Sequence, residues 1–190
     1  MTRRSDAEEN RSALLDAAAR VFAETGIDTP LERVHHRADL GRGTLYRHFP
    51  DRRSLFRALV AQSLSRLEAC PVENDPAALA NLLCLAARES ARTPALHAIW
   101  DALRDDPDAT DLVGRLTGVF ARPLAQGQVA GWIAPALTVD DLFLAVRMLG
   151  AASRGPDLTT REGDARRALA ILVAGLELPP PASTEMTDDR

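Results

Sequence analysis

Nowhere in this chain of 190 residues do apolar and polar residues alternate with a period of two for long enough to make a half-buried strand. Apolar residues instead recur every three to four positions. The runs are punctuated by pairs in which a capping residue precedes proline: Thr29-Pro30, Asp75-Pro76, Thr93-Pro94 and Asp106-Pro107. A side-chain oxygen at the N-cap satisfies one of the free N–H groups of a helix's first turn, and proline at the next position lacks an N–H that would go unsatisfied there. The punctuation predicts an all-α fold without a sheet.

Taken in order, Ser5-Asp6-Ala7-Glu8 has the form of a capping box and opens a first helix carrying Leu14, Leu15, Ala18, Val21 and Phe22. Gly26 supplies the left-handed residue that ends it. Thr29-Pro30-Leu31-Glu32 is a second box, predicting a second helix from about Pro30 to Ala38 with Leu31, Val34 and Ala38 on its apolar side. Asp39-Leu40-Gly41 reads as a tight turn into a third helix, Arg42 to Phe49, which Pro50 stops. Two short helices joined by three residues form a helix-turn-helix. Asp51 caps a long fourth helix with Leu55, Phe56, Leu59, Val60, Leu64 and Leu67 inward. Later helices follow Asp75, Thr93 and Asp106, and Pro123, Gly127 and Gly131 predict breaks or kinks. Thr138 caps a helix with Leu142, Phe143, Val146 and Leu149, and a last helix carries Leu169, Leu172, Val173 and Leu176. Residues 179–190, three prolines and then acids, read as a disordered tail.

At about 100° per residue the third helix turns Leu45 and Phe49 to one side and Gly43, Thr44 and Arg47 to the other, with Tyr46 and His48 flanking the outer face. A face that is small at its start and rich in hydrogen-bonding groups further on suits the major groove of DNA, which admits a helix. An ordinary solvated helix exterior carries the same residue types, so the surroundings decide. The formal net charge of −4 opposes nucleic-acid binding, but it is unevenly spread: residues 1–60 carry +2 and residues 61–190 carry −6. Within 33–57 seven arginines face two acids. Every basic residue in the chain is arginine, so part of this skew is compositional habit.

Other classes find little support. No apolar run is long enough to span a bilayer and the N-terminus lacks the apolar stretch of a signal peptide, which predicts a soluble cytoplasmic protein. Cys70 and Cys84 have no metal-type spacing and read as reduced structural thiols. Gly41-Arg42-Gly43 lacks the third glycine and the preceding strand of a dinucleotide site, and the nucleophile-elbow, P-loop and zincin motifs are missing from the sequence. His35 and His36 are adjacent and face different directions on a helix, a poor metal pair. The expectation is a protein that is not an enzyme, with no cofactor and no metal site.

The pattern Leu14 to Gly26, together with Thr44-Leu45-Tyr46-Arg47-His48-Phe49-Pro50 followed by Arg52 and Leu55, resembles the tetracycline-repressor family of bacterial transcription regulators. Residues 126–152 more weakly resemble the run before the family's penultimate helix. The resemblance implies a homodimer: residues 1–50 forming a helix-turn-helix DNA-binding domain, 51–178 a larger helical ligand-binding and dimerisation domain, and 179–190 the tail. It implies as partners double-stranded operator DNA, a small-molecule effector of unidentified kind, and a second copy joined through the last two helices. By position, Thr44, Tyr46 and His48 match groove-contacting residues, Arg52 matches a phosphate-contacting base at the start of helix four, and Arg42 stands at a variable entry position that often touches DNA. Their chemistry agrees: Thr44 fits a base edge, Tyr46 and His48 offer polar groups to phosphate, and Arg42 can pair bidentately with guanine. With Gly43 and Arg47 on the same face, and Thr29 either joining a phosphate contact or only capping helix two, these are the candidate DNA-binding residues.

Two positions depart from the family: His35 stands where a small alanine is usual, and Asp39 replaces a turn glycine. Four residues apart, they are expected either to compensate through an imidazole–carboxylate hydrogen bond or to be independent. They also leave open a rival reading, a helical ligand-binding or scaffolding dimer with a weakened DNA-binding domain. For the effector pocket, His97, Trp100, Phe120, Trp132 and Met148 are candidates, although aromatics and methionine at helical spacing are also ordinary core.

Overall fold

The computed structural model describes residues 2–181, with side chains from residue 6 onward, and every regular element among them is helical. In chain order these are α1 (Thr2–Thr25), α2 (Glu32–Arg37), α3 (Arg42–His48), α4 (Arg52–Glu68), α5 (Ala78–Arg92), α6 (Leu96–Ala102), a 3₁₀ turn (Pro107–Ala109), α7 (Thr110–Val129), α8 (Val139–Ala152) and α9 (Leu158–Gly175). They form two compact units, Met1–Gln62 with Ala95–Ala109, and Ser63–Pro94 with Thr110–Arg190. Of the expected tail, residues 182–190 lie outside the described residues.

In the first unit, α1, α2 and α3 pack on one another around the apolar residues that the helical period singles out: Leu14, Leu15, Ala18, Val21 and Phe22 from α1, Val34 from α2, and Leu45 from α3. Leu55 and Phe56 of α4 are equally buried, and Phe22 meets Phe56 edge to face at 5.5 Å. Burying a side chain of this size stabilises by about 1.5–3 kcal/mol relative to leaving it in water, so this cluster holds the orientation of α3.

The helix beginnings follow the expected chemistry unevenly. Asp51 caps α4, its carboxylate accepting from the Ser54 N–H at 2.6 Å while the Ser54 hydroxyl accepts from the Asp51 N–H at 3.2 Å. Thr138 and Asp141 make a complete reciprocal box at α8. Asp106 accepts from the Asp108 N–H at the 3₁₀ turn, and Asp75 from the Ala77 N–H one turn ahead of α5. The other boxes do not form. Helix α1 begins at Thr2, so Ser5 lies inside it rather than at its cap. At α2 the N-cap is Leu31, and the Thr29 hydroxyl instead turns back onto Thr25, donating to its carbonyl at 3.0 Å and meeting its hydroxyl at 2.7 Å. At α6 the N-cap is Ala95, and Thr93 caps nothing there. Pro123 does not break α7: it sits buried within the helix, which continues to Val129 and ends where Gly131 takes a positive φ of 73°.

The second unit is built around α5, which packs against α7, α8 and α9. Most of its residues from Ala78 to Ala91 are buried, Glu89 and Ser90 among them, which puts α5 in the core of this unit. Phe120 of α7 meets Phe143 of α8 edge to face at 6.3 Å. Inside this unit the carboxylate of Glu89, 4 % exposed, is compensated by Arg66 at 2.6 Å. Cys70 and Cys84 are free, and burial raises both thiols above their ordinary value, so neither is an activated nucleophile.

Candidate nucleic-acid interface

The turn between α2 and α3 sets how the third helix is presented. Asp39 has a φ of 53°, its N–H donates to the His36 carbonyl at 3.2 Å, and the Leu40 N–H donates to the His35 carbonyl at 3.0 Å. This pairing of the two residues after the helix with carbonyls in its last turn is the Schellman motif, with Asp39 in the left-handed place that glycine usually takes. His35 completes it from the other side, its Nδ1 donating to the Leu40 carbonyl at 3.0 Å. The imidazole therefore bridges to the backbone of Leu40 and not to the Asp39 carboxylate, which favours the second of the two alternatives, independent side chains. Donation to a carbonyl places a proton on Nδ1. His36 is exposed, with its ring 4.2 Å from that of His35.

Helix α3 then starts at Gly41, whose carbonyl accepts from the Thr44 and Leu45 N–H groups. Leu45 and Phe49 are buried, Arg42, Gly43 and Arg47 are exposed, and Thr44, Tyr46 and His48 lie between. An added Cβ at Gly43 would meet nothing within 4 Å, so no contact inside the chain requires glycine there. The Arg42 guanidinium lies 5.5 Å from the centre of the Tyr46 ring. Both face Glu32 of α2: its Oε1 is 3.9 Å from an Arg42 nitrogen and 3.5 Å from the Tyr46 hydroxyl. Sequence reasoning assigned Glu32 only to the capping box with Thr29, and so missed it as a neighbour of the outer face.

His48 combines a part-exposed ring with an Nε2 that is shielded and has no hydrogen-bond partner. Burial, and then the positive charges of Arg47 and Arg11, hold its imidazole below the ordinary value of 6.5. Arg11 of α1 also lies over the Phe49 ring at 5.4 Å.

The remaining candidates sit inward. The Arg52 guanidinium is bonded to the carbonyls of Ile27, Asp28 and Thr29, at 2.8 Å for Thr29, and thereby ties α4 to the α1–α2 connection. Thr29 is buried, 7 % exposed. Arg57 of α4 holds Asp106 at 2.7 Å and Asp108 at 3.4 Å. Burial alone would raise the Asp106 carboxyl, but the hydrogen bonds from Arg57 and the Asp108 N–H, with the charges of Arg57 and Arg53, bring it below the usual carboxylate range.

The five pocket candidates divide between the two units. His97 and Trp100 belong to the first unit, whereas Phe120, Trp132 and Met148 belong to the second. Phe120 is fully buried core, and Trp132 and Met148 are 39 % and 49 % exposed. An open cleft of about 330 Å³ in the second unit is lined instead by residues such as Leu67, Cys70, Leu82, Arg115, Val119 and Arg122. Among the described residues no cluster of three metal-ligating side chains occurs, and no helix is long and apolar enough to cross a membrane.

Residues 14–59 match the sequence profile of bacterial regulatory proteins, tetR family, a span that opens on the α1 core and closes inside α4. Over these residues the chain carries a tetR-family helix-turn-helix region. Curated HTH-type transcriptional regulators of Staphylococcus aureus are 36 % identical to it over 62 residues, which is 32 % of this chain and 34 % of theirs. The chain thus aligns with about a third of the length of those relatives. A solved TetR transcriptional regulator from Streptomyces coelicolor is 27 % identical, with 91 % of this chain and 99 % of that one covered and a TM-score of 0.63. A Rhodococcus protein of the same family, 21 % identical with 90 % and 98 % covered, superposes with a TM-score of 0.65 and shows the shared fold. The chain therefore carries a tetR-type N-terminal helix-turn-helix together with a larger all-helical unit of the kind found in those neighbours.

Proposed function

We propose that the protein is a cytoplasmic transcriptional regulator that binds a palindromic operator as a homodimer and is released by a small-molecule effector. The observation that carries this reading is the division of α3, Leu45 and Phe49 buried and Arg42, Gly43 and Arg47 turned outward beside Thr44, Tyr46 and His48. A helix anchored on one side and offering small, hydrogen-bonding and cationic groups on the other is built to enter the major groove. In this reading Arg42 and Thr44 meet base edges, Tyr46, Arg47 and His48 meet phosphates, and Arg52 acts chiefly by fixing the loop that carries Thr29. The Schellman turn supports it further, since His35 and Asp39 complete the helix-turn-helix geometry instead of loosening it.

Dimerisation rests on the outer faces of the last two helices. Leu144 and Met148 of α8 and Ile171 of α9 are 48 %, 49 % and 67 % exposed, more apolar surface than scattered single residues call for. Two copies joined there would place two α3 helices on successive major grooves, about 34–36 Å or a multiple apart. An effector that binds better to a conformation with the wrong spacing lowers operator affinity by the same factor that operator lowers its own.

The test is a mobility shift with the DNA upstream of the protein's own gene and its divergent neighbour. A discrete complex that weakens with salt at about −0.9 per phosphate neutralised is expected. No complex with that DNA or any other duplex at low salt, from folded protein, would leave the scaffolding reading in its place.

A further inference from the structure

Beside the outer face of α3 stands an acid of α2 that the DNA-binding reading does not use. Glu32 stands at the first position of α2, its side chain 45 % exposed, with Oε1 3.9 Å from the Arg42 guanidinium and 3.5 Å from the Tyr46 hydroxyl. Arg42 itself is 70 % exposed and lies against the Tyr46 ring. A carboxylate so close to the cation has two effects. It holds the long arginine side chain near the helix, and it cancels most of the charge that a distant anion would feel.

Two kinds of DNA contact respond differently. A phosphate carries a full negative charge, so whatever it gains from Arg42 it largely loses to repulsion by Glu32 at almost the same distance. A guanine edge is neutral and presents two acceptors, O6 and N7, that pair with the guanidinium in a fixed fork. The directional bonds survive the nearby carboxylate because they depend on short-range geometry. We infer that Glu32 is a specificity-determining residue: it suppresses the attraction of Arg42 for phosphate while leaving its pairing with a base, so that Arg42 reads sequence in preference to charge. The inference rests on the DNA-binding reading above, and it makes Glu32 a positioning residue acting through Arg42.

The experiment compares the wild type, Glu32→Gln, Arg42→Ala and the double variant. Each is titrated with a random-sequence duplex and with the duplex that the wild type enriches from a random pool, from about 50 to 200 mM salt. Freeing one positive charge adds about −0.9 to the salt slope, equivalent to roughly threefold in affinity over that range. Glu32→Gln is expected to tighten random-sequence binding by about threefold or more at the low-salt end, to steepen the slope by about one, and to lower the ratio of specific to random affinity. In the Arg42→Ala background the same change is expected to leave that ratio unmoved. Glu32→Ala, which removes the charge without an amide, is expected to behave like Glu32→Gln and stands in for it if the glutamine variant does not fold. An unchanged ratio, a loss of affinity on both duplexes, or the same effect without Arg42 would overturn the inference while leaving DNA binding intact. A wild type that binds neither duplex would overturn the DNA-binding reading, and the inference with it.

Discussion

At Gly43 the interior of the molecule is indifferent to the side chain: a Cβ meets nothing within 4 Å, while glycine inside a helix costs about 1 kcal/mol relative to alanine. With nothing inside the chain that calls for glycine, close approach to a surface outside it is the role that Gly43 would serve. Gly43→Ala is therefore expected to stabilise the first unit by about 0.5–1 kcal/mol in thermal melts and to weaken DNA binding; stability and affinity rising together would remove the close-approach role. His48 gives a pH dependence with a definite sign. Its folded value lies below the 6.5 of the free imidazole, because of burial and then the charges of Arg47 and Arg11. Between that lowered value and 6.5 the unfolded chain holds the extra proton, so stability is fully present above 6.5 and falls as pH falls through the window. Phosphate beside the exposed edge of the His48 ring favours the protonated form, so DNA affinity is expected to rise as pH falls toward the same window, and His48→Asn should flatten both profiles in pH-resolved melts and titrations. A profile unmoved by that substitution would contradict this role. The two departures from the family resolve in the backbone. The bond from His35 to Leu40 makes His35→Ala cost about 1–3 kcal/mol. Asp39→Gly is expected to gain about 0.3–1 kcal/mol by removing an acid from the helix C-terminus. Because the two side chains do not bond each other, the pair should be additive within about 0.3–0.5 kcal/mol, and larger coupling in denaturant melts would restore the direct contact. The sequence pointed to both residues but not to the bond, since an i, i+4 rule sees side chains and not a carbonyl five residues on.

Among the described helices, existence and order were legible because buried faces repeat at 3.6 residues, and each lies close to where its apolar set or the preceding cap–proline pair predicted. Beginnings were less legible. Ser5, Thr29, Thr93 and Thr138 all stood at plausible caps, yet of these four only Thr138 acts as one in the fold. A cap motif records what a side chain is able to do, whereas packing decides where the helix starts, and at Thr29 the α1 carbonyl of Thr25 competes successfully for the hydroxyl. The contrast is measurable: Thr138→Ala should cost about 1 kcal/mol, and Thr93→Ala, at a part-buried threonine that closes α5 through its backbone and whose side chain caps no helix beginning, should stay within about 0.5 kcal/mol. Equal costs in thermal melts would show that the caps are misassigned. Pro123 was read as an interruption for the same reason: proline removes one helical hydrogen bond, but burial between Phe120 and Leu124 supplies more than that loss.

For the molecule as a whole, the outer face of α3 was more legible than any pocket. A recognition helix is contiguous in sequence, so Arg42 to His48 reveal their shared face directly. A ligand pocket is assembled from distant helices, so sequence spacing alone does not tie His97, Trp100, Phe120, Trp132 and Met148 together; the cleft of the second unit is lined by other residues. Glu32 was visible but was absorbed by the capping motif, and only the fold brings it to Arg42. The central claim, a dimer that reads DNA through two copies of α3, is tested most directly by letting the folded protein select from a pool of random duplexes and sequencing what it keeps. The account predicts enrichment of an inverted repeat whose half-sites lie about 10–10.5 base pairs apart centre to centre, or a multiple of that, and whose informative bases are lost on Arg42→Ala. Enrichment of a single unrepeated site, or no enrichment over input, would contradict it.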